Sequence, residues 1–413
     1  MHLMNNVGAN YAFWRELHVA TALSQFTHYS AKKSIYPRKD FLFSVKGNNV
    51  EDTIVMRKLP LGKFVLMIAA LLSVSAVARS ETTPLPKEIR IGVPDQSAGS
   101  KPFIGGPLGL AHIQHQLEDV FAPQGVTVKW SFFKGAGPAV NEALANQQLD
   151  FAYLGDLAAI IGRASGLPTR FLFGHRGSSS YLAVNSQSGI KQIADLKGKR
   201  VAVYRGTADQ LAFDRALKGA GLSERDMQVI NLDWTSGKAA LAAGRVDAVW
   251  GGVSLLALRG KGVDVVVKSR DLSWENTTQA GFIGTAAFIE SYPQATQQII
   301  DVLVKNALWT SEEEHRENYA KTLSAQSAIP QVLFLEELNP ADLKFISSPR
   351  LDTFLQDSFQ RSVEQAKNGN LIRRDFAVDQ WFDNRFVEQA LQSQQLEKYW
   401  PAYNARGDQE NAG

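Results

Sequence analysis

The sequence predicts an α/β protein of two similar lobes with a ligand cleft between them. Two observations carry the prediction. A short phrase occurs twice, 97 residues apart, as Ala143 to Gly155 and again as Ala240 to Gly252. Each copy reads as a helix end, a turn, an aspartate (Asp150, Asp247), a short buried strand and a glycine. Two copies of one supersecondary unit are too few for a solenoid and suit two lobes built alike. The second observation is that strands alternate with helices, which indicates βαβ units and a mainly parallel sheet.

The elements follow in order. Ile89 to Val93 alternates as a first strand, and the Gly, Ser and Pro content of Pro94 to Pro107 marks a loop. Leu108 to Phe121 has helical spacing. Val126 to Phe133 is strand-like, with Val126, Val128, Trp130 and Phe132 on one face. Gly135 to Pro138 opens a helix with proline near its first turn. The first phrase follows, Asp156 starts another helix, and Thr169 to Phe173 is a strand. The pattern then restarts with strands at Tyr181 to Val184, Arg200 to Tyr204, Val229 to Trp234 and Val263 to Val267. Helices fall between them, one at Asp209 to Ala220 and one ending in the second phrase. Gly281 to Phe288 reads as a strand returning to the first lobe, and helices dominate from Pro293 onward. The expected organisation is lobe one at 88–180 plus 281–330, lobe two at 181–280, and C-terminal helices at 331–413 packed on lobe one.

The chain has 413 residues, 45% hydrophobic and 21% charged, which is globular composition and length enough for two domains. Residues 1–78 hold 9 of the 44 Lys/Arg and 4 of the 41 Asp/Glu, so the remainder has net charge −2 although the whole chain has +3. That balance excludes the basic footprint of a nucleic-acid binder. The absence of cysteine excludes disulfides, thiol catalysis and Cys-based metal sites.

The excess positive charge has an address. Arg57, Lys58 and Lys63 precede an apolar or small-residue run, Phe64 to Ala78, that ends Ala76-Val77-Ala78. This is the pattern of a secretory signal peptide, and the run is short for a membrane span, which needs about 20 residues. The expectation is a cleavable signal peptide at 56–78 with Met56 as the start. Residues 1–55 would be a non-native upstream extension, and the product a soluble periplasmic protein.

In open α/β sheets ligands lie beyond the carboxyl ends of strands. There the chain repeatedly places small residues before a helix: Ser97-Ala98-Gly99, Gly155-Asp156, Gly206-Thr207 and Thr235-Ser236. A helix start offers unpaired N–H groups and about half a positive charge, and small residues let an anion approach. Asp150 and Asp247, between a helix end and a strand start, read as turn formers rather than catalysts. Asp156 follows a strand and is either a helix cap or an acceptor for a ligand hydroxyl or amine. Tyr181, Trp234 and Trp250 lie at strand ends, as core packing or as an apolar wall for an organic ligand. Gly-x-Ser-x-Gly, the Walker loop and His-Glu-x-x-His are absent. His112 and His115 are three apart with no clear third ligand, so neither metal nor cofactor is expected.

Several matches fall in order: Phe151 to Asp156, Ile193 to Ala202, Gly206-Thr207-Ala208, Ala216-Leu217 with Ala220-Gly221-Leu222, and Ala242 to Ala248. Together they resemble the periplasmic substrate-binding proteins of aliphatic sulfonate, taurine and nitrate ABC importers, over roughly Glu88 to the C-terminal region. The resemblance implies the type II periplasmic binding protein fold and lobe closure without chemistry. It implies a small organosulfur oxyanion (aliphatic sulfonate or sulfate ester) as ligand, permease and ATPase subunits as partners, and a monomer. Carried over by position, Gln96-Ser97, Gly155-Asp156, Gly206-Thr207 and Trp250 form the pocket, with Tyr181, Trp234, Thr235 and Gly251 beside them. The family often has Trp-Asp-Pro or Trp-Glu-Pro where this chain has Trp250-Gly251-Gly252, which removes a carboxylate and leaves room for a bulkier group. Rival readings are nitrate or taurine binding, a cofactor-precursor binder or enzyme on the same fold, and a periplasmic sensor subunit.

Overall fold

The computed structural model describes residues 84–339 and 341–410. The expected signal peptide and upstream extension lie outside the described residues.

The strands are β1 (Glu88–Pro94), β2 (Thr127–Phe133), β3 (Phe151–Gly155), β4 (Thr169–Ser178), β5 (Tyr181–Asn185), β6 (Arg200–Val203), β7 (Gln228–Asn231), β8 (Ala248–Gly251), β9 (Val263–Lys268) and β10 (Thr278–Thr285). They form two five-stranded sheets, ordered β2-β1-β3-β10-β4 and β7-β6-β8-β5-β9. The two orders are the same pattern, with β3 and β8, the strands of the repeated phrase, at the centre of each.

Each sheet is mixed rather than mainly parallel. β1 pairs in parallel with β2 and β3, and β6 with β7 and β8. β10 runs antiparallel between β3 and β4, and β5 antiparallel between β8 and β9. The cause is topological. β4 leads directly into β5 of the second sheet, and the chain returns after β9 to insert β10 into the first. Each crossing strand therefore enters its new sheet from the opposite direction.

Helices cover both faces of both sheets. Those used below are α1 (Gly106–Ile113), α2 (Ala136–Ala145), α3 (Asp156–Ala164), α4 (Ala208–Gly219), α5 (Trp234–Ala242), α6 (Pro293–Ser311), α7 (Arg316–Ser327), α8 (Gln331–Leu338), α9 (Thr353–Asn368) and α10 (Arg385–Ser393). Alternation along each strand divides the cores. Phe151 and Tyr153 of β3 pack with α6 and α10, while Ala152 and Leu154 pack with α2, α3 and α9. In lobe two, Ala248 and Trp250 face α4, while Val249 faces α5. The expected helix from Leu108 to Phe121 is broken at His115, whose φ of 55° ends one segment and starts the next.

Not all of the segment after 331 packs on lobe one. α8 packs on residues 253–258 of lobe two, and Glu336 takes two hydrogen bonds from Arg259 at 2.7 and 3.1 Å. The helix also closes onto α7, so it straps the two lobes together. The remaining helices are clamped to lobe one at Arg176 of β4. Its guanidinium is fully buried, bonds both carboxylate oxygens of Asp352 at 2.8 Å, and lies over the rings of Phe345, Phe354 and Tyr403.

Candidate functional site

Strand ends from both sheets converge on one cleft. Lobe one contributes Asp95 to Gly99 after β1, Lys134 to Gly137 after β2, Gly155 at the end of β3, and His175, Ser178 and Ser179 from the end of β4. Lobe two contributes Tyr204 and Thr207 to Asp209 after β6, Asp233 to Ser236 after β7, and Gly252 to Ser254 after β8. α7 and α8 supply a third wall with Tyr319, Leu323, Ile329, Phe334, Glu337 and Leu338. The cavity volume is about 870 Å³, in the upper part of the range for organic-ligand pockets, about 300–1,000 Å³.

The helix starts around this cleft are not equivalent. The Asp233 carboxylate accepts from the Thr235 and Ser236 N–H groups, so the start of α5 is already filled by an anion. The start of α3 is served by its own Asp156, which accepts from Leu157 N at 2.7 Å. In the loop after β1, Asp95 accepts from the Ser97 and Phe103 N–H groups. Among the described residues α2 and α4 have no side-chain cap, as α3 has none beyond the Asp156 bond to the next N–H, and α4 carries the buried Asp209 in its first turn. The starts of α2 and α4 lie against each other, because a Cβ built on Gly137 would come within 3.3 Å of the Gly206 carbonyl. Two helix dipoles thus present N–H groups to the same part of the cleft, one from each lobe.

Two cations accompany them. Lys134 and Lys238 line the cleft, and neither is within ion-pair distance of a carboxylate among the described residues. Burial lowers the Lys238 pKa. Arg270 also lines the cleft but is engaged, donating to Glu337 at 2.8 Å and to the Gly177 carbonyl at 2.6 Å.

Trp234 is the aromatic wall of lobe two. It is the first residue of α5, not a strand end. Its Nε1 donates to the buried carboxylate of Asp209 at 2.9 Å, and Tyr204 meets its ring edge-on at 5.2 Å. Burial raises the Asp209 pKa against the bonds from Trp234 and Ser180. Tyr204 also reaches across the cleft, donating from its hydroxyl to the Lys134 carbonyl at 3.0 Å. On lobe one, His175 Nδ1 is buried with no hydrogen-bond partner among the described residues, as is Ser179 Oγ. Burial and neighbouring Arg176 push the imidazole down to about 4, so His175 is neutral at physiological pH.

Of the residues singled out by sequence, Gln96, Ser97, Gly155, Thr207, Trp234 and Thr235 line the cleft. Asp156, Tyr181 and Gly206 do not, and Trp250 and Gly251 line only a small recess beside it, with Tyr204 and Trp234. Asp156 is fully buried, accepts from Ser362 Oγ at 3.1 Å and lies 3.8 Å from Arg215, so it joins α3 to α9 and α4. Trp250 is 1% exposed and packs on Phe213, because alternation along β8 turns it toward α4. Tyr181 is buried on the other face, with its hydroxyl bonded to Glu337. Gly206 backs the cleft beside Pro138, and Gly251 sits over Leu255. Lining residues that sequence reasoning missed include Lys134, His175, Tyr204, Asp209, Lys238, Glu337 and the third wall. Asp209, two residues past the expected turn at Gly206-Thr207, was the nearest to being found. The third wall carried no strand-end signal.

Two mixed α/β sheets joined by two crossing segments, with a cleft at their strand ends, define a two-lobed binding protein of the type II periplasmic architecture. The chain belongs to the NMT1/THI5-like family, whose model matches residues 118–314. It is 27% identical over 316 residues to a Bacillus subtilis protein named as aliphatic sulfonates-binding, covering 74% of this chain and 89% of that one. It is 30% identical over 230 residues to an Escherichia coli protein of the same name, covering 54% of this chain and 67% of that one. Among solved structures, the periplasmic sulfonate-binding protein SsuA of a sulfonate ABC transporter from Methylobacillus flagellatus superposes with a TM-score of 0.67. That match is 28% identical and covers 79% of this chain and 98% of the other.

Proposed function

We propose that the protein is the substrate-binding component of an ABC importer. It captures a small organosulfur oxyanion, an aliphatic sulfonate or sulfate ester, between its lobes and releases it unchanged to a permease driven by its ATPase. It acts as a soluble periplasmic monomer exported through a signal peptide. The observation that carries this reading is the pairing of the uncapped starts of α2 and α4 with Lys134 and Lys238. Four sources of positive potential, from both lobes, face one cleft. An anion held there gains from both helix dipoles only when the lobes are together, which couples binding to closure. The sulfonate-binding names of the relatives support the choice of anion. Thr207, Gly155 and Trp234 are the proposed ligand contacts nearest these helix starts, with Gln96, Ser97 and Thr235 further along the wall.

Titration of the purified protein with alkanesulfonates, alkyl sulfates, taurine and nitrate tests the proposal. Binding heat and a raised melting temperature are expected with sulfonates or sulfate esters, and the ligand is expected back unaltered. No response to any oxyanion, or a chemically changed ligand, contradicts it.

A further inference from the structure

The third wall of the cleft is chemically unlike the first two. Phe103, Tyr319, Leu323, Ile329, Phe334 and Leu338 line the cavity and belong, with Ala320 and Leu343, to one apolar cluster. Phe103 and Phe334 meet edge to face at 6.1 Å. The one polar group of these six, the Tyr319 hydroxyl, is occupied, accepting from Gly106 N at 3.1 Å, and the wall's one carboxylate, Glu337, is engaged by Arg270 and Tyr181. The Tyr319 bond holds the first residue of α1, where Gly106 has a φ of +77° and leaves no room for a Cβ beside His175 and Tyr153. The wall is therefore fixed in place as well as apolar. All six residues lie outside the 118–314 stretch that the family model matches.

We infer that this wall is a second subsite that takes an aromatic ring borne by the oxyanion, which extends the sulfonates and sulfate esters captured from aliphatic to aryl ones. The inference rests on the importer reading above. A one- or two-carbon sulfonate would occupy only a small part of about 870 Å³ and would leave the cavity side of this largely buried wall without a partner. A flexible alkyl chain could cover the wall but would lose rotamer freedom in doing so. A rigid ring loses none and meets the Phe103 and Phe334 rings in the edge or offset arrangements that aromatic pairs favour. Trp234 and Tyr204 extend the same kind of surface toward the helix starts.

Calorimetric titration of the full chain with methanesulfonate, hexanesulfonate, benzenesulfonate and phenyl sulfate tests this. Burying one ring predicts benzenesulfonate binding roughly thirtyfold tighter than methanesulfonate, and tighter than hexanesulfonate. Phe334→Ala, which removes the wall, and Leu323→Trp, which fills the space before it, should each abolish the aryl advantage while methanesulfonate binding is kept. Retained methanesulfonate binding shows that a variant is folded, and the second variant serves if the first is not. Hexanesulfonate binding as tightly as benzenesulfonate, or an aryl advantage unchanged in a folded variant, overturns the inference. Failure of every sulfonate and sulfate ester to bind overturns the importer reading, and this one with it.

Discussion

The two lobes share one internal staple and differ in how it is sheltered. In lobe one, Arg90 at the start of β1 donates three bonds to Asp150, from its backbone N, Nε and a terminal nitrogen, at 2.6–3.0 Å. In lobe two, Arg200 at the start of β6 makes the same three bonds to Asp247 at 2.7–3.2 Å. Each arginine also donates to a carbonyl in the turn of the phrase just past its helix end, Gln147 or Gly244. The aspartates of the repeat thus tie each central strand to its neighbour far from the cleft. The Asp150 side chain is 9% exposed and that of Asp247 27%. Lobe one is also the lobe that the C-terminal helices cover. One chemical device is therefore worth different amounts in two copies of one scaffold, because solvent screens the exposed copy.

The largest effect should come from the clamp that only lobe one has. Asp352→Ala strands the fully buried Arg176 and should destabilise the protein by about 3–5 kcal/mol in urea unfolding. A small change would mean that the aromatic rings around Arg176 suffice to hold the C-terminal helices. Next, Asp150→Ala removes an acceptor from a backbone N–H and a guanidinium, at a cost of about 2 kcal/mol. A third effect is titration within lobe one. The folded-state pKa of His175 is near 4, below its ordinary 6.5, so the unfolded chain binds the extra proton between these values. Stability is full above pH 6.5 and falls as pH drops toward 4. Because His175 faces the open cleft, the loss should be only about 1 kcal/mol after screening, and His175→Gln should flatten the profile. The smallest effect should come from Asp247→Ala. Arg200 holds the Asp247 carboxyl below its ordinary value, so that contribution is present at neutral pH and lost as acid protonates the folded group. Equal losses for Asp150→Ala and Asp247→Ala would break the comparison.

Much of the scaffold was legible because it is local. The repeated phrase marked β3 and β8, and alternation marked most other strands within a residue or two. The staple was half legible. Asp150 and Asp247 read as turn formers, but their arginines lie 60 and 47 residues upstream, and only sheet register joins them. The same limit misplaced Trp250. Its position at a strand end suggested the cleft, whereas the face it occupies depends on strand alternation and on which helix covers that side. Trp234 reads as the end of a strand, yet Asp233 caps a helix there and turns the ring into the cleft. The helix starts looked alike in sequence because small residues precede all of them. What sets α5 apart is its capping carboxylate, Asp233, which was itself visible but whose hydrogen bonds were not. The third wall was out of reach, since its residues come from 103 and 319–338 and meet only through tertiary packing.

The uncapped helix starts of the two lobes, with Lys134 and Lys238, are proposed to hold an organosulfur oxyanion. Titration calorimetry of the full chain and of its Lys134→Glu/Lys238→Glu variant with benzenesulfonate tests this most directly. One ligand per chain is expected for the original protein and no measurable binding for the variant, whose cooperative urea unfolding shows that it is folded. Equal affinity in the two proteins would contradict the proposal.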